Sequence, residues 1–470
     1  MSARSPVVHL TAIGGIGMTA LAGLMVELGH RVRGSDLEVY PPASDELARL
    51  GIPVARGYRA ENLEPRPDLV VMGNAISANN PEAIAARAAG LPTLSLPEAL
   101  ASFCLRERTP LVVAGTHGKT TSASFLAWLL SKAGRDPGYF IGGAPRDLAR
   151  GHALGTGREF VLEGDEYDSA YFDKGPKFLH YRPQGVVLTG IEFDHADIYV
   201  DLDHVKASFA KLLALLPEGA PLVVCADFPA ALEVARASGR PHVTFSGEAA
   251  SAADWRIGEI ADSAGALRFI VSGRGERLSL TTPLLGVMNA RNLLGVALLA
   301  RAFDVPWSTI AEAAASFHGV RRRQEVLVEG DVVLIDDFAH HPTAIAATLA
   351  AVKSRYPGRR VWALFDPRSN TSRRRVFQHE IAAALARADL AVLGPVHRAE
   401  QLEESERFSP EDAVREVNRA GGRAHSLTDY DTVSALVQAE ARPGDVVVAL
   451  SNGPFGGVVA RLAEALRARS

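Results

Sequence analysis

Residues 111–121 read Leu-Val-Val-Ala-Gly-Thr-His-Gly-Lys-Thr-Thr. An apolar run leads into a glycine loop, and a lysine with hydroxyl residues opens a helical pattern. Gly115, Thr116, His117, Gly118, Lys119, Thr120 and Thr121 therefore form a candidate triphosphate-binding loop. Backbone N–H groups at such a loop and helix start face an anion. Lys119 adds a charge for the outer phosphates, and the Thr120 hydroxyl suits Mg²⁺. Val113 stands where the general phosphate loop has its first glycine, so this is the tighter variant of the motif.

Carboxylates and imidazoles follow other apolar runs. Glu163 begins Glu-Gly-Asp-Glu-Tyr-Asp after 160–162, and residues 192–197 read Glu-Phe-Asp-His-Ala-Asp after 186–188. Oxygen donors beside a triphosphate loop suit Mg²⁺; a solvated acidic loop is the alternative. Residues 336–343 read Asp-Asp-Phe-Ala-His-His-Pro-Thr, and 365–371 read Phe-Asp-Pro-Arg-Ser-Asn-Thr. Paired histidines at a strand end favour a site, and an arginine there suits bidentate carboxylate or phosphate binding. Arg321, Arg322 and Arg323 are either site residues or a surface basic run, and 451–457 is either a site loop or a tight turn. Near the start, Gly14, Gly15, Ile16 and Gly17 form a glycine turn, with Asp36 after the next apolar run. That is a nucleotide-diphosphate fingerprint with Ala12 in the first glycine position. Close strand–helix packing is the alternative.

The elements that must position these groups alternate. Residues 7–13, 31–34, 69–72 and 92–95 predict strands around a helix over 18–28, and 106–110 predicts a linker. In the middle block, 160–162, 185–189, 221–225 and 242–245 predict strands. Residues 267–271 and 277–281 predict a hairpin, and 292–303 predicts a helix. In the last block, strands are predicted at 332–335, 361–365, 390–393 and 446–450. Strands alternating with helices imply parallel sheets covered on both faces.

A chain of 470 residues with 47% hydrophobic residues accommodates about three domains. The net charge of -4 is mild, so neither nucleic acid nor an anionic membrane is an expected partner. The two cysteines, Cys104 and Cys225, give neither a disulfide framework nor metal spacing, which fits a cytoplasmic location. The uncharged stretch 7–26 is broken by glycines and reads as a buried strand–turn–helix, not a leader.

These motifs, in this order, resemble the Mur ligase family over nearly the whole chain, most weakly at 227–280 and 395–440. The resemblance implies a Rossmann-like UDP-sugar domain (1–107), a central P-loop ATPase-type parallel-sheet domain (108–325) and a Rossmann-like acceptor domain (326–470). It implies ATP-driven amide-bond formation with Mg²⁺. Lys119, Glu163, His195 and His340 would be catalytic, and Thr120, Glu163 and His195 would hold the metal. The loop residues with Asn289, Asn292, Arg323 and Asp337 would bind ATP. Gly14, Gly15, Ile16, Gly17, Ser35, Asp36 and Asn74 would bind the UDP-sugar, and Phe338, Arg368, Ser369 and Asn370 the acceptor.

Finer motifs, among them 165–168, 172–174, 177–181 and 367–371, resemble the branch that joins the murein tripeptide L-alanyl-γ-D-glutamyl-meso-diaminopimelate to UDP-N-acetylmuramate in peptidoglycan recycling. The runner-up is the branch that adds free L-alanine in de novo synthesis. Gly164, Met288 and Pro454 depart from the usual Ala, His and Gly of the family. A nicotinamide dehydrogenase would explain only the N-terminal turn. A regulatory nucleotide-binding module would leave the motifs after 336 without a role.

Overall fold

The computed structural model describes residues 5–263 and 265–469. The chain divides into two compact units. The first comprises Met1–Ile191, Asp203–Phe245 and Gly295–Ala313; the second comprises Glu192–Leu202, Ser246–Leu294 and Ala314–Ser470.

Among the described residues, the first unit carries an N-terminal sheet, a two-stranded antiparallel ribbon (Asp168–Ala170 with Asp173–Pro176) and the mainly parallel part of a larger central sheet. In the N-terminal one, strands lie in the order Val54–Arg56, Arg31–Asp36, Val7–Thr11, Leu69–Met72, Thr93–Ser95, all parallel. The chain switches direction across the sheet beside Val7–Thr11, which places the turn at Gly14 where open parallel sheets take ligands. The first strand is shorter than the predicted 7–13, because Ala12 adopts φ 64° and starts the turn. The helix Ile16–Glu27 follows at once. The short strand Val54–Arg56 was absent from the sequence reading; its brevity and exposure give no alternation to find.

The central sheet runs Val243–Ser246, Leu222–Cys225, Gly185–Leu188, Thr109–Ala114, Glu159–Gly164, Gly138–Phe140, His152–Ala153. Among the described residues of these seven strands, the last pairing is antiparallel and the others are parallel. The predicted linker 106–110 is corrected here, because Thr109 and Pro110 are strand residues aligned with Glu159 and Phe160. Proline is tolerated so near a strand start. The central strands are almost wholly buried, as expected for a sheet covered on both faces.

In the second unit, one sheet has the order Glu325–Glu329, Val333–Asp337, Val446–Leu450, Val361–Phe365, Leu390–Leu393, Ala424–Ser426. Its first pairing is antiparallel and the others are parallel. Alternate strand residues feed two cores. Val361, Ala363 and Phe365 pack with Ile345, Leu349 and Ile381 on one face, while Trp362 and Leu364 pack with Val433, Val437 and Leu462 on the other.

The predicted hairpin exists as Ala266–Gly273 and Glu276–Thr282, extended by a further antiparallel strand, Trp255–Ser263. An ion pair from Arg355 to Asp262 ties it to the helix Pro342–Arg355. The helix predicted at 292–303 begins earlier, at Gly286, and so includes Met288 and Asn289. No helix among the described residues is long and apolar enough to cross a membrane. Both cysteines are buried, and neither forms a disulfide among the described residues.

Candidate active site

The phosphate-type loop joins strand Thr109–Ala114 to helix Lys119–Lys132, between the neighbouring strands Gly185–Leu188 and Glu159–Gly164. It is pinned to the end of Gly185–Leu188. The Thr116 N–H donates to Gly190 O at 2.9 Å, and the Thr189 hydroxyl donates to His117 O at 2.5 Å. Gly115 has φ 135°, and a Cβ there would run into Thr189 and the Gly190 backbone, so only glycine fits.

Lys119 turns back over the loop. Its Nζ donates to Gly115 O at 2.7 Å and to the Glu166 carboxylate at 2.9 and 3.2 Å. Burial works against the ammonium, but Glu166, Asp165 and Glu163 outweigh it and hold its pKa above the ordinary lysine value. The sequence reading quoted Glu166 within the acidic run without assigning it; the structure makes it the partner of Lys119.

Glu163 lies at the end of the adjacent strand. Its Oε2 accepts from the Gly142 N–H at 2.6 Å, while Oε1 is buried without a hydrogen-bond partner. Burial, then Asp165, push its pKa up, against the Thr120 hydroxyl, the Gly142 N–H and Lys119. A buried orphan carboxylate oxygen beside a threonine hydroxyl fits a hard divalent cation. Asp165 accepts from the Tyr167 hydroxyl at 2.7 Å and pairs with Lys177 at 3.3 Å.

In the N-terminal sheet the Gly14 N–H donates to Asp36 Oδ2 at 2.8 Å, so Asp36 braces the glycine turn. Gly15 caps the helix Ile16–Glu27, and the side chain of Ile16 is exposed. Gly17 is the second residue of that helix and lies against Leu96. Asn74 is exposed after strand Leu69–Met72. The Ser35 side chain is fully buried; its hydroxyl donates to Glu82 Oε2 at 2.7 Å, and its carbonyl accepts from the Ala12 and Ile13 N–H groups at 2.9 and 3.1 Å. Glu82, absent from the sequence reading, also accepts from Thr11 at 2.8 Å and from Asn62 at 2.6 Å, and meets His9 at 3.1 Å.

The second unit holds the remaining residues. His195 sits in 192–202, where its N–H donates to Asp194 Oδ1 at 2.7 Å. Burial pushes the Asp194 carboxyl up, but His340, His195 and Thr371 together hold it well below the carboxylate range. Thr371 donates to it at 2.6 Å, and His340 Nε2 lies 3.7 Å away. Thr343 donates to Glu192 at 3.0 Å, and Asn370 donates to Asp197 at 2.8 Å. His341 is buried and caps the helix Pro342–Arg355, accepting from Thr343 N at 3.3 Å. Of the histidine pair, His340 is the half-buried member.

The arginine run is only partly a surface feature. Arg321 is exposed, but Arg322 pairs with Asp336 at 3.1 Å and donates to Ser451 O and Gly453 O at 2.8 and 2.6 Å. The Arg323 guanidinium lies 4.4 Å from the centre of the Phe338 ring. Asn289 and Asn292 are buried one turn apart, and Asn289 donates to Leu285 O and to Gln324, each at 2.9 Å. Gln324 in turn approaches the Met288 sulfur at 4.0 Å. Ser369 exchanges hydrogen bonds with Ser372, and Arg368 lies over Gly453, where any Cβ would displace it. The loop 451–457 thus serves both as a turn and as the floor under Arg368.

Asp337 accepts from Ala339 N at 2.7 Å, and from Gln324 N and Thr348 each at 3.1 Å. Burial pushes its carboxyl up to about 6, against Arg323, the Ala339 N–H and Thr348, with Asp336 adding repulsion. The folded pKa lies above the unfolded value of about 3.9. The group's stabilising contribution is therefore complete below about pH 4 and is lost as pH rises through about 6. From roughly pH 4 to pH 7, the unfolding free energy of the parent should fall relative to Asp337→Asn by on the order of 3 kcal/mol. Denaturant unfolding of both proteins across that range checks this; parallel curves would refute it.

Known proteins share this arrangement along the whole chain. Residues 7–108 match the catalytic domain of the Mur ligase family, 113–300 the Mur ligase middle domain, and 322–453 the Mur ligase glutamate ligase domain. The UDP-N-acetylmuramate–L-alanyl-gamma-D-glutamyl-meso-2,6-diaminoheptandioate ligase of Escherichia coli is 38% identical over 98% of both chains. The UDP-N-acetylmuramate–L-alanine ligase of Syntrophotalea carbinolica is 34% identical over 98% of both. The crystal structure of a murein peptide ligase from Psychrobacter arcticus superposes with TM-score 0.74 at 32% identity, over 98% of this chain and 99% of that one. The three domain matches together run along nearly the whole chain, and the chain belongs to the Mur ligase family.

Proposed function

We propose that this chain joins the lactyl carboxylate of UDP-N-acetylmuramate to the amine of L-alanyl-γ-D-glutamyl-meso-diaminopimelate, using ATP, as a step of cytoplasmic peptidoglycan recycling. The similarity to the Escherichia coli ligase over 98% of both chains carries this reading. We further propose the division 1–107 for the UDP-sugar, 108–325 for ATP and 326–470 for the acceptor.

The carboxylate oxygen attacks the γ-phosphorus, ADP leaves, and an acyl phosphate forms. The deprotonated amine then attacks the acyl carbon and phosphate leaves with the electron pair of the C–O bond. Lys119 screens the transferring phosphoryl group, and the loop N–H groups orient it. No covalent enzyme intermediate is required. When bound, Mg²⁺ neutralises phosphate charge, and Thr120 and Glu163 would hold it in the first unit. The turn from Gly14 to Gly17 takes the pyrophosphate of the UDP-sugar, and Arg368 takes a carboxylate of the acceptor.

Phosphate release with UDP-N-acetylmuramate, ATP and Mg²⁺ tests the reading, comparing the tripeptide with L-alanine. The expected result is a strong preference in kcat/KM for the tripeptide. Equal use of L-alanine would replace this assignment with the alanine-adding one, in line with the Syntrophotalea carbinolica relative.

A further inference from the structure

One loop of the acceptor-side sheet is poorly matched by any motif of the sequence, yet it sits beside Arg368. Strand Leu390–Leu393 ends at Gly394, whose N–H donates to Phe365 O at 2.9 Å. The His397 N–H then donates to Pro367 O at 3.1 Å, next to Arg368. Arg373 crosses back to the same loop, its Nη1 donating to Gln401 at 3.3 Å. Arg398 lies between them, exposed, with φ 49°. Four basic side chains from two segments therefore share one end of the sheet.

We propose that Arg373, His397 and Arg398 extend the Arg368 position into a carboxylate-binding patch that selects an acceptor with carboxylates well beyond its reacting amine. This rests on the acceptor assignment made above for Arg368.

Three acids, Asp366, Asp197 and Glu400, lie near the patch and offset part of its charge. Asp366 is fully buried and accepts from Tyr430 at 3.1 Å and from Ser451 at 2.7 Å. Asp197 accepts from Asn370 at 2.8 Å and also attracts the Arg373 guanidinium, and Arg374 takes Glu406 at 3.1 Å. Glu400 is exposed and faces Arg373 from the loop. Arg373 hydrogen-bonds a neutral partner, Gln401, and its Nε is buried with no hydrogen-bond partner. Burial, then Arg368 and Arg398, hold the His397 imidazole below its ordinary pKa, so near neutrality it offers a neutral N–H and not a third full charge.

Charge and reach both fit. Free alanine presents one carboxylate beside its amine. A γ-linked tripeptide ending in a diamino diacid presents several, and at about 3.3–3.6 Å per residue the last ones lie on the order of 10 Å from the amine. Guanidinium groups on separate segments can hold such spaced carboxylates, which one arginine cannot.

Steady-state kinetics of the full chain test the patch, with Arg398→Ser, Arg373→Gln and the double variant. The double variant is expected to raise KM for the tripeptide by ~10-fold or more, as for two lost charge-assisted contacts, while KM for ATP moves less than about twofold. Arg398→Lys should recover part of the loss, since it keeps the charge. An unchanged tripeptide KM, or an equal rise in KM for ATP, overturns the proposal. Because Arg398 is exposed, Arg398→Ser keeps the test alive if Arg373→Gln fails to fold. A parent protein that does not use the tripeptide at all would overturn the proposed function itself, an outcome distinct from insensitivity of the variants.

Discussion

Replacing Lys119 with alanine is expected to lower the ligation rate at saturating ATP by about 10²-fold, equivalent to ~2–3 kcal/mol of transition-state stabilisation. The lysine is already held over its loop, bonded to Gly115 O at 2.7 Å and to Glu166 at 2.9 Å. Its side chain is 14% exposed and that of Glu166 is 3% exposed, so the pair is largely withdrawn from water. A charge placed this way needs little reorganisation when the phosphoryl group transfers, which is why its removal is costly. It must first exchange Glu166 for phosphate oxygens, and the carboxylates at 163–166 then need a new counter-charge. That exchange suits binding of ATP together with its divalent cation.

The alanine variant leaves Glu166 buried without its cation, so part of the damage will appear as lost stability. Thermal unfolding must therefore accompany the rate measurement. A variant that remains folded and turns over near the parent rate would remove Lys119 from the mechanism.

The loop that carries Lys119 was legible because its chemistry is local. A buried apolar run, a glycine turn and a lysine at a helix start occupy consecutive positions, and each constrains the next. The alternating strands of both flanking sheets were legible for the same reason. The missed elements lack a local signal. Strand Trp255–Ser263 has a largely exposed, polar second half, and Gly138–Phe140 is too short to show a period. Residues 192–202 follow directly on strand Gly185–Leu188, so sequence continuity assigns them to the middle block. Their hydrogen-bond partners are Thr343, His341, Thr371 and Asn370, more than a hundred residues away. Glu166 was in view but unassigned, because three carboxylates in four residues do not reveal which one faces the lysine. The family resemblance implies Ser35 as a UDP-sugar contact. Only the fold reveals that its hydroxyl points inward.

Glu82→Ala is expected to destabilise the N-terminal sheet domain by about 3–5 kcal/mol, the range for breaking a buried polar network at its centre. The residue opens the helix Pro81–Ala88, where an acidic residue ordinarily complements the helix dipole at the surface. Here the side chain is fully buried and serves as the shared acceptor of Thr11, Ser35 and Asn62, with His9 at 3.1 Å. Burial pushes its carboxyl up, but the hydrogen bonds from His9, Asn62 and Ser35 outweigh it and hold the pKa below the ordinary value. Removing the carboxylate would strand the buried hydroxyl donors of Thr11 and Ser35, each costing about 1–3 kcal/mol, while the half-buried Asn62 amide keeps its bond to Gly57 O. Thr11 and Ser35 stand at the ends of the first two strands, and Asp36, next to Ser35, braces Gly14. Loss of the network should therefore loosen the turn from Gly14 to Gly17 and weaken UDP-sugar binding more than ATP binding. Denaturant unfolding and calorimetry with each ligand on the full chain check both effects. Glu82→Gln keeps one acceptor oxygen and should lose less. An alanine variant with parental stability and parental UDP-sugar affinity would refute the network's role in holding the turn.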